Sequence, residues 1–287
     1  MKKLFLLIAG LGLLAALTGC ILGLTAKTVF ASEKIKGSGK LATRTLTVPA
    51  FDALRVSRGI QATVKPLKNN EVTIEADDNL LNKVTVKVED RTLKISVDQS
   101  VKELSDCRIS VTVPHNARLG KIEASSAARV VCEAPLTAKN AALKASSAAK
   151  IEATVEGAEK CKADASSAAE IDATIQAAEC SFELSSAADI SAHATVRRCE
   201  IGMSSASSLT LAGSASECKT ETNSAAQLDA YDLTVENYSI STSSGSSARI
   251  RCTQELRAKA SSGSSIRYKG DCRSQIRTSS GGSVRHK

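Results

Sequence analysis

The chain has 287 residues, 43% of them apolar, and a net charge of +8, with no Trp, three Tyr, four Phe and three His. That apolar fraction is enough for a packed core and excludes a disordered chain. The shortage of rings and imidazoles disfavours nucleic-acid stacking surfaces and His-based catalysis.

Residues 1–19 read as an export signal. Lys2-Lys3 forms its charged region, Leu4 to Leu17 its apolar region, and Leu17-Thr18-Gly19-Cys20 closes it. The closing tetrapeptide resembles the bacterial lipobox, and the resemblance implies that Cys20 is acylated and becomes the mature N-terminus, anchoring the protein to a membrane of the bacterial envelope. Two alternatives stand beside it: an ordinary cleavage after Val29-Phe30-Ala31, giving a secreted or periplasmic chain, or an uncleaved anchor. Residues 20–40, with Gly37-Ser38-Gly39, read as a lipidated tether.

Residues 41–118 alternate apolar and polar side chains in seven runs: Leu41 to Val48, Ala53 to Val56, Ile60 to Val64, Val72 to Ala76, Val84 to Val88, Leu93 to Val97 and Ile109 to Val113. Period-two alternation bounded by breakers such as Pro49, Arg58-Gly59, Asp77-Asp78-Asn79 and Pro114 predicts strands. This region is expected to be a β-rich cap or a set of less regular first coils. Asp77-Asp78 has the look of a calcium corner, but an acidic turn before Leu80-Leu81 is the commoner reason for such a pair, and no metal or other cofactor is assigned.

Residues 119–287 repeat. Ser-Ser-Ala-Ala begins at Ser125, Ser146, Ser166 and Ser185, and related blocks begin at Ser204, Asn223, Ser243, Ser261 and Ser279, in steps of 21, 20, 19, 19, 19, 20, 18 and 18. Five residues after each start stands an apolar residue (Val130, Ile151, Ile171, Ile190, Leu209, Leu228, Ala248, Ile266, Val284), followed by a residue that is mostly polar. Before each block the alternation returns, as in Cys180/Phe182/Leu184. A period near 20 built from short strands predicts a right-handed parallel β-helix, each coil burying its apolar side against its neighbours. The small-residue block reads as a tight corner repeated at about 4.8 Å, with hydroxyls stacking along the axis. Nine near-equivalent serine blocks with no activating base argue against a nucleophile.

The order Phe51-Asp52-Ala53-Leu54-Arg55-Val56-Ser57, Gly59-Ile60-Gln61-Ala62-Thr63-Val64 and Val72-Thr73-Ile74-Glu75-Ala76-Asp77-Asp78-Asn79-Leu80-Leu81, followed by Val84-Thr85-Val86 and Leu93-Lys94-Ile95, resembles the auto-transporter adhesin head GIN domain family. The resemblance covers nearly all of the mature chain. It implies an exported, often lipid-anchored β-helical envelope protein with an adhesive role, and carries over no site residues. Gln61 stands where the family's naming motif has Asn, and Ala replaces Gly in most corner blocks.

Cys161, Cys180, Cys199 and Cys218 are spaced 19 apart and are expected to form an inward ladder of buried thiols. Disulfides between neighbouring rungs are the alternative, and a line of four thiols suits zinc poorly. Cys107, Cys132, Cys252 and Cys272 are off this ladder, with Cys252 and Cys272 on neighbouring coils and placed to pair.

Charge divides along the chain. Residues 159–232 hold twelve acidic and five basic residues, whereas residues 249–287 hold ten basic and two acidic. Arg249, Arg267 and Arg285 share one coil register and Lys259 and Arg277 another, so cationic stripes are expected on which an anionic glycan or other envelope polymer binds. Tyr268 is the one nearby ring, and no nucleic-acid partner is assigned. The expected function is non-enzymatic surface binding or adhesion. A polysaccharide-active enzyme and a ligand-free spacer are the alternatives. His193 after Asp189 offers the enzyme reading a candidate dyad, although a lone surface His is the commoner case.

Overall fold

The fold is that of a computed structural model describing residues 33–67 and 69–287. Cys20 and the Ala31 cleavage point lie outside the described residues. Among those residues no helix is long and apolar enough to cross a membrane.

The N-terminal region contains β1 (Glu33–Lys36), β2 (Leu41–Thr47), β3 (Ala53–Ser57), β4 (Gln61–Lys65), β5 (Glu71–Asp77), β6 (Val84–Glu89), β7 (Thr92–Val97), β8 (Val101–Ser105) and β9 (Ile109–Pro114). All seven predicted strands are present. β1 and β8 are additional, and β1, inside the segment read as a tether, runs parallel to β8.

This region is both coil and cap. β3, a turn at Arg58-Gly59 and β4 form a solenoid rung. β7 and β9 pair in parallel with β3 and β4, so the rung beneath is made by residues later in sequence. Antiparallel strands then close the end: β6 covers β7, β5 covers β9, and β2 covers β5. Such pairing removes the open edge that a terminal rung exposes. Two acidic residues fix the cap. Asp52 pairs with Arg91, which holds its carboxyl below the usual aspartate range. Asp77 is buried and accepts from the Gly39 amide at 2.7 Å and the Arg108 amide at 2.8 Å. The acidic turn thus ties residues 36–40 and 106–108 to the head, its oxygens occupied by backbone amides.

The regular solenoid follows: β10 (Lys121–Ser125), β11 (Arg129–Cys132), β12 (Asn140–Ser146), β13 (Lys150–Ser166), β14 (Glu170–Ser185), β15 (Asp189–Met203), β16 (Ser208–Thr222), β17 (Gln227–Thr242), β18 (Ser247–Ala260), β19 (Ser265–Lys269), β20 (Arg273–Thr278) and β21 (Ser283–His286). Each long strand runs from one corner block to the next, and the inward parity switches partway, as between Val196 and Cys199 in β15. Neighbouring coils pair in parallel and in register, forming columns. Ile151, Ile171, Ile190, Leu209 and Leu228 stack on one another and are almost fully buried. Burying each such side chain contributes about 1.5–3 kcal/mol relative to exposing it. Ala141, Cys161, Cys180, Cys199, Cys218, Tyr238 and Leu256 form a second inward column. Its four cysteines are buried free thiols, packed as small apolar groups. Cys252 is buried beside the partly exposed Cys272 thiol, and both are free.

The corner blocks are two-residue turns in which both central residues are left-handed, as at Ser186 (φ 55) and Ala187 (φ 59). The fourth residue of the block donates back to the first, Ala188 to Ser185 at 3.2 Å, which makes each a type I′ turn. The third residue's amide points along the axis to the next coil, Ala187 N–H to Ser205 O at 2.9 Å and Ala206 N–H to Ser224 O at 2.9 Å. The axial ladder that runs through every corner is therefore made of backbone amides, and the expected hydroxyl bonds join it only in the later coils, where Ser246 and Ser264 reach Thr222 and Thr242 of the preceding coil at 3.0 and 2.8 Å. The fourth residue faces inward and is buried (Ala128, Ala149, Ala169, Ala188, Ser207, Ala226), so it must be small.

Candidate ligand-binding surface

The stacked register converts sequence spacing into outward columns. One column, three residues after each turn, runs Glu152, Asp172, Ser191, Thr210, Asp229, Arg249, Arg267 and Arg285. A second, two residues before each turn, runs Asp164, Glu183, Gly202, Glu221, Ser241, Lys259 and Arg277. Both change from acidic to basic on approaching the C-terminal coils. The five predicted ligand residues therefore fall into two groups on the two sides of the turn: Arg249, Arg267 and Arg285 on one, Lys259 and Arg277 on the other.

Arg249 is held by Asp229 of the preceding coil. Arg267, Arg285, Lys259 and Arg277 have no carboxylate partner among the described residues. Beside the first group lies an open depression of about 390 Å³ lined by Thr210, Asp229, Ser247, Arg249, Ser265 and Arg267. On the other side Lys259, Arg277 and Arg257 wall a trough of about 590 Å³. Its floor is the short row Ser239, Ser241 and Ser243, flanked opposite by Lys219 and Glu221. Small side chains between rows of long ones are what make a trough on an otherwise flat sheet.

Sequence reasoning missed the exposed ring of this end. Tyr268 is buried, packed edge-on to His286 with centroids 4.8 Å apart. Tyr231 is the half-exposed ring, with Arg249, Lys269 and Lys287 at 5.6, 4.9 and 5.3 Å from its centroid. An exposed cation–π contact contributes about 0.5–1 kcal/mol. The clue was the longer step of 20 between the blocks at Asn223 and Ser243, after which the steps fall to 18.

The middle coils are charge-balanced by ladders. Lys160, Glu179, Arg198 and Glu217 occupy one column, with Arg198 3.2 Å from Glu179 and 3.3 Å from Glu217. The less balanced region is the column Asp164, Glu183 and Glu221 with Lys144, bordering an open depression of about 430 Å³. Partial burial raises the Glu183 pKa, Lys162 opposes this, and Asp164, Glu200 and Glu221 add to the rise. Gly202 makes room for that carboxylate, since a β-carbon there would sit 2.4 Å from Glu183 Oε2. No aromatic side chain lines the depression. Asp189 and His193 stand four residues apart on the outward side of β15, about 13 Å along the strand, too far for a dyad.

Comparison with known proteins agrees with this architecture. Two solved structures, both described as putative adhesins, match with TM-scores of 0.65 (Parabacteroides merdae, 20% identity, 89% of this chain and 99% of that one) and 0.67 (Parabacteroides distasonis, 22%, 89% and 100%). A third, described as a putative lipid binding protein from Parabacteroides distasonis, matches at 0.62 with 15% identity over 89% of this chain and 100% of that one. At these identities the likeness is one of fold. No curated protein matches the chain. The family model described as putative auto-transporter adhesin, head GIN domain, matches twice, over residues 50–174 and 158–272. These overlapping spans run from β3 of the head through β19, well over half of the chain, and the chain belongs to that family.

Proposed function

We propose that the protein is an exported, lipid-anchored, non-enzymatic binding protein of the bacterial envelope that holds an anionic polymer at its basic C-terminal coils. One observation carries this reading: Arg249, Arg267 and Arg285 stand in register on three successive coils, and two of them have no carboxylate partner among the described residues. Side chains one rung apart repeat at about 4.8 Å, a spacing suited to a chain of regularly placed acidic groups. Anchoring rests on Leu17-Thr18-Gly19-Cys20, and the adhesive role on membership of a family of adhesin-head domains. The opposing enzymatic reading has its foothold in the Asp164/Glu183/Glu221 column. That column lies on an open surface without a ring against which a sugar could stack.

The test is binding of the purified domain to acidic and neutral polysaccharides across a salt series. Wild type is expected to bind the acidic polymers, with affinity falling as salt rises. Arg267→Gln/Arg285→Gln is expected to lose most of that binding at unchanged melting temperature. Absence of binding at low salt would remove the reading and leave a spacer as the better account.

A further inference from the structure

The longer coil before the basic end has a structural outcome. In β17 the register with the next coil breaks after Ala230, which pairs with Ile250, and resumes at Thr234, which pairs with Arg251. Tyr231, Asp232 and Leu233 have no counterpart beneath them. Leu233 is buried and anchors this excursion, while Asp232 is largely exposed. The shorter coils that follow leave Tyr231 overhanging the flank of the rod. Its three cations then come one from each of three coils: Arg249 in β18, Lys269 at the end of β19, and Lys287 after β21.

Three cations around one ring repel each other, and the ring's negative face offsets only part of that repulsion. The nearby carboxylates are few. Asp229 holds Arg249, and Asp232 is 3.8 Å from Lys269. With Arg267 and Arg285 alongside, the side chains of the cluster are five cations against two carboxylates. A site that gathers more positive charge than it neutralises, around a ring that limits where the cations lie, is pre-organised for an anion.

We propose that Tyr231 organises an anion subsite in which Arg249, Lys269 and Lys287 close together on one acidic group of a polymer lying along the Arg249–Arg267–Arg285 column. This rests on the polyanion reading above and deepens it. The ring's role is to position the cations, so its hydroxyl is dispensable and its π-face is not. The ligand chemistry is a repeated oxyanion, carboxylate or phosphate.

The experiment measures binding of the whole mature domain to two probes, a polyuronate oligosaccharide and an inorganic polyphosphate of similar charge. Variants are Tyr231→Leu, Tyr231→Phe, Lys269→Gln and the Tyr231→Leu/Lys269→Gln pair. Tyr231→Leu is expected to weaken binding roughly tenfold and Tyr231→Phe to leave it within about twofold. Lys269→Gln should weaken it comparably to Tyr231→Leu, and the double variant should add little, since both disrupt one cluster. Preferential loss on the polyuronate would assign the acidic group to a sugar carboxylate, and preferential loss on polyphosphate would assign it to a phosphate. If Tyr231→Leu folds and binds as wild type while Arg267→Gln/Arg285→Gln fails, the subsite is wrong and the basic column stands. Should Tyr231→Leu not fold, a wild-type affinity for Lys269→Gln would overturn the subsite equally. No binding of either probe by wild type would overturn both readings.

Discussion

At the residue scale, the most unusual demand of this fold is its paired left-handed turn. Left-handed backbone costs an L-residue about 1–2 kcal/mol, yet alanine occupies the third block position in six of the nine repeats. What holds it there is the axial bond from that residue's amide to the next coil, repeated from Ala127 to Gly263. Glycine relieves the strain while keeping the amide, as the last three blocks already do. Ala187→Gly is therefore expected to raise stability by about 1 kcal/mol after its entropy cost, read as a higher denaturant midpoint at unchanged slope. The small-residue pattern was visible in the sequence. Its reason was not, because a run of Ser and Ala does not reveal which peptide groups turn along the axis.

At the element scale, the unit is the column rather than the strand. Cys161, Cys180, Cys199 and Cys218 were identifiable as inward from spacing alone, and the columns confirm it. Cys199 has no exposed surface, and its hydrogen bond with the neighbouring Cys218 thiol, then burial, push its pKa well up. A buried hydroxyl there would need a polar partner of the kind that Thr220 finds in the Tyr238 hydroxyl, 3.1 Å away. Cys199→Ser is expected to cost about 1–3 kcal/mol in denaturant unfolding, with Cys199→Ala showing how much of that is lost volume. The spacing also identified the basic columns. It marked the longer coil that carries Tyr231 without showing that this ring faces out, which depends on a register break between coils, whereas alternation within β19 already placed Tyr268 in phase with the inward Ile266.

At the scale of the molecule, the two ends are built differently. The N-terminal rung is covered by β2, β5 and β6, whereas β20 and β21 each pair on one side only, with β20 exposed along its length and Ile276 43% accessible. Arg273, Arg277 and Arg285 on that open end deter pairing with another strand edge. In a stack held by nearest-neighbour contacts, the uncovered end opens first. Hydrogen exchange is expected to be fastest in β20 and β21 and slowest in β14 to β16, and a bound polyanion should slow exchange at the basic end selectively. Uniform exchange along the rod would contradict this.

The sequence by itself determined the solenoid, its coil length, the inward and outward faces and the shift from acidic to basic coils. A period of about 20 with two-residue alternation leaves each side chain few places to go. Only the tertiary structure decided the threading of β3 and β4 above β7 and β9, the antiparallel cap and the Tyr231 overhang. Each depends on which strand lies beside which, and that is settled by pairing between segments distant in sequence, where local pattern carries no information.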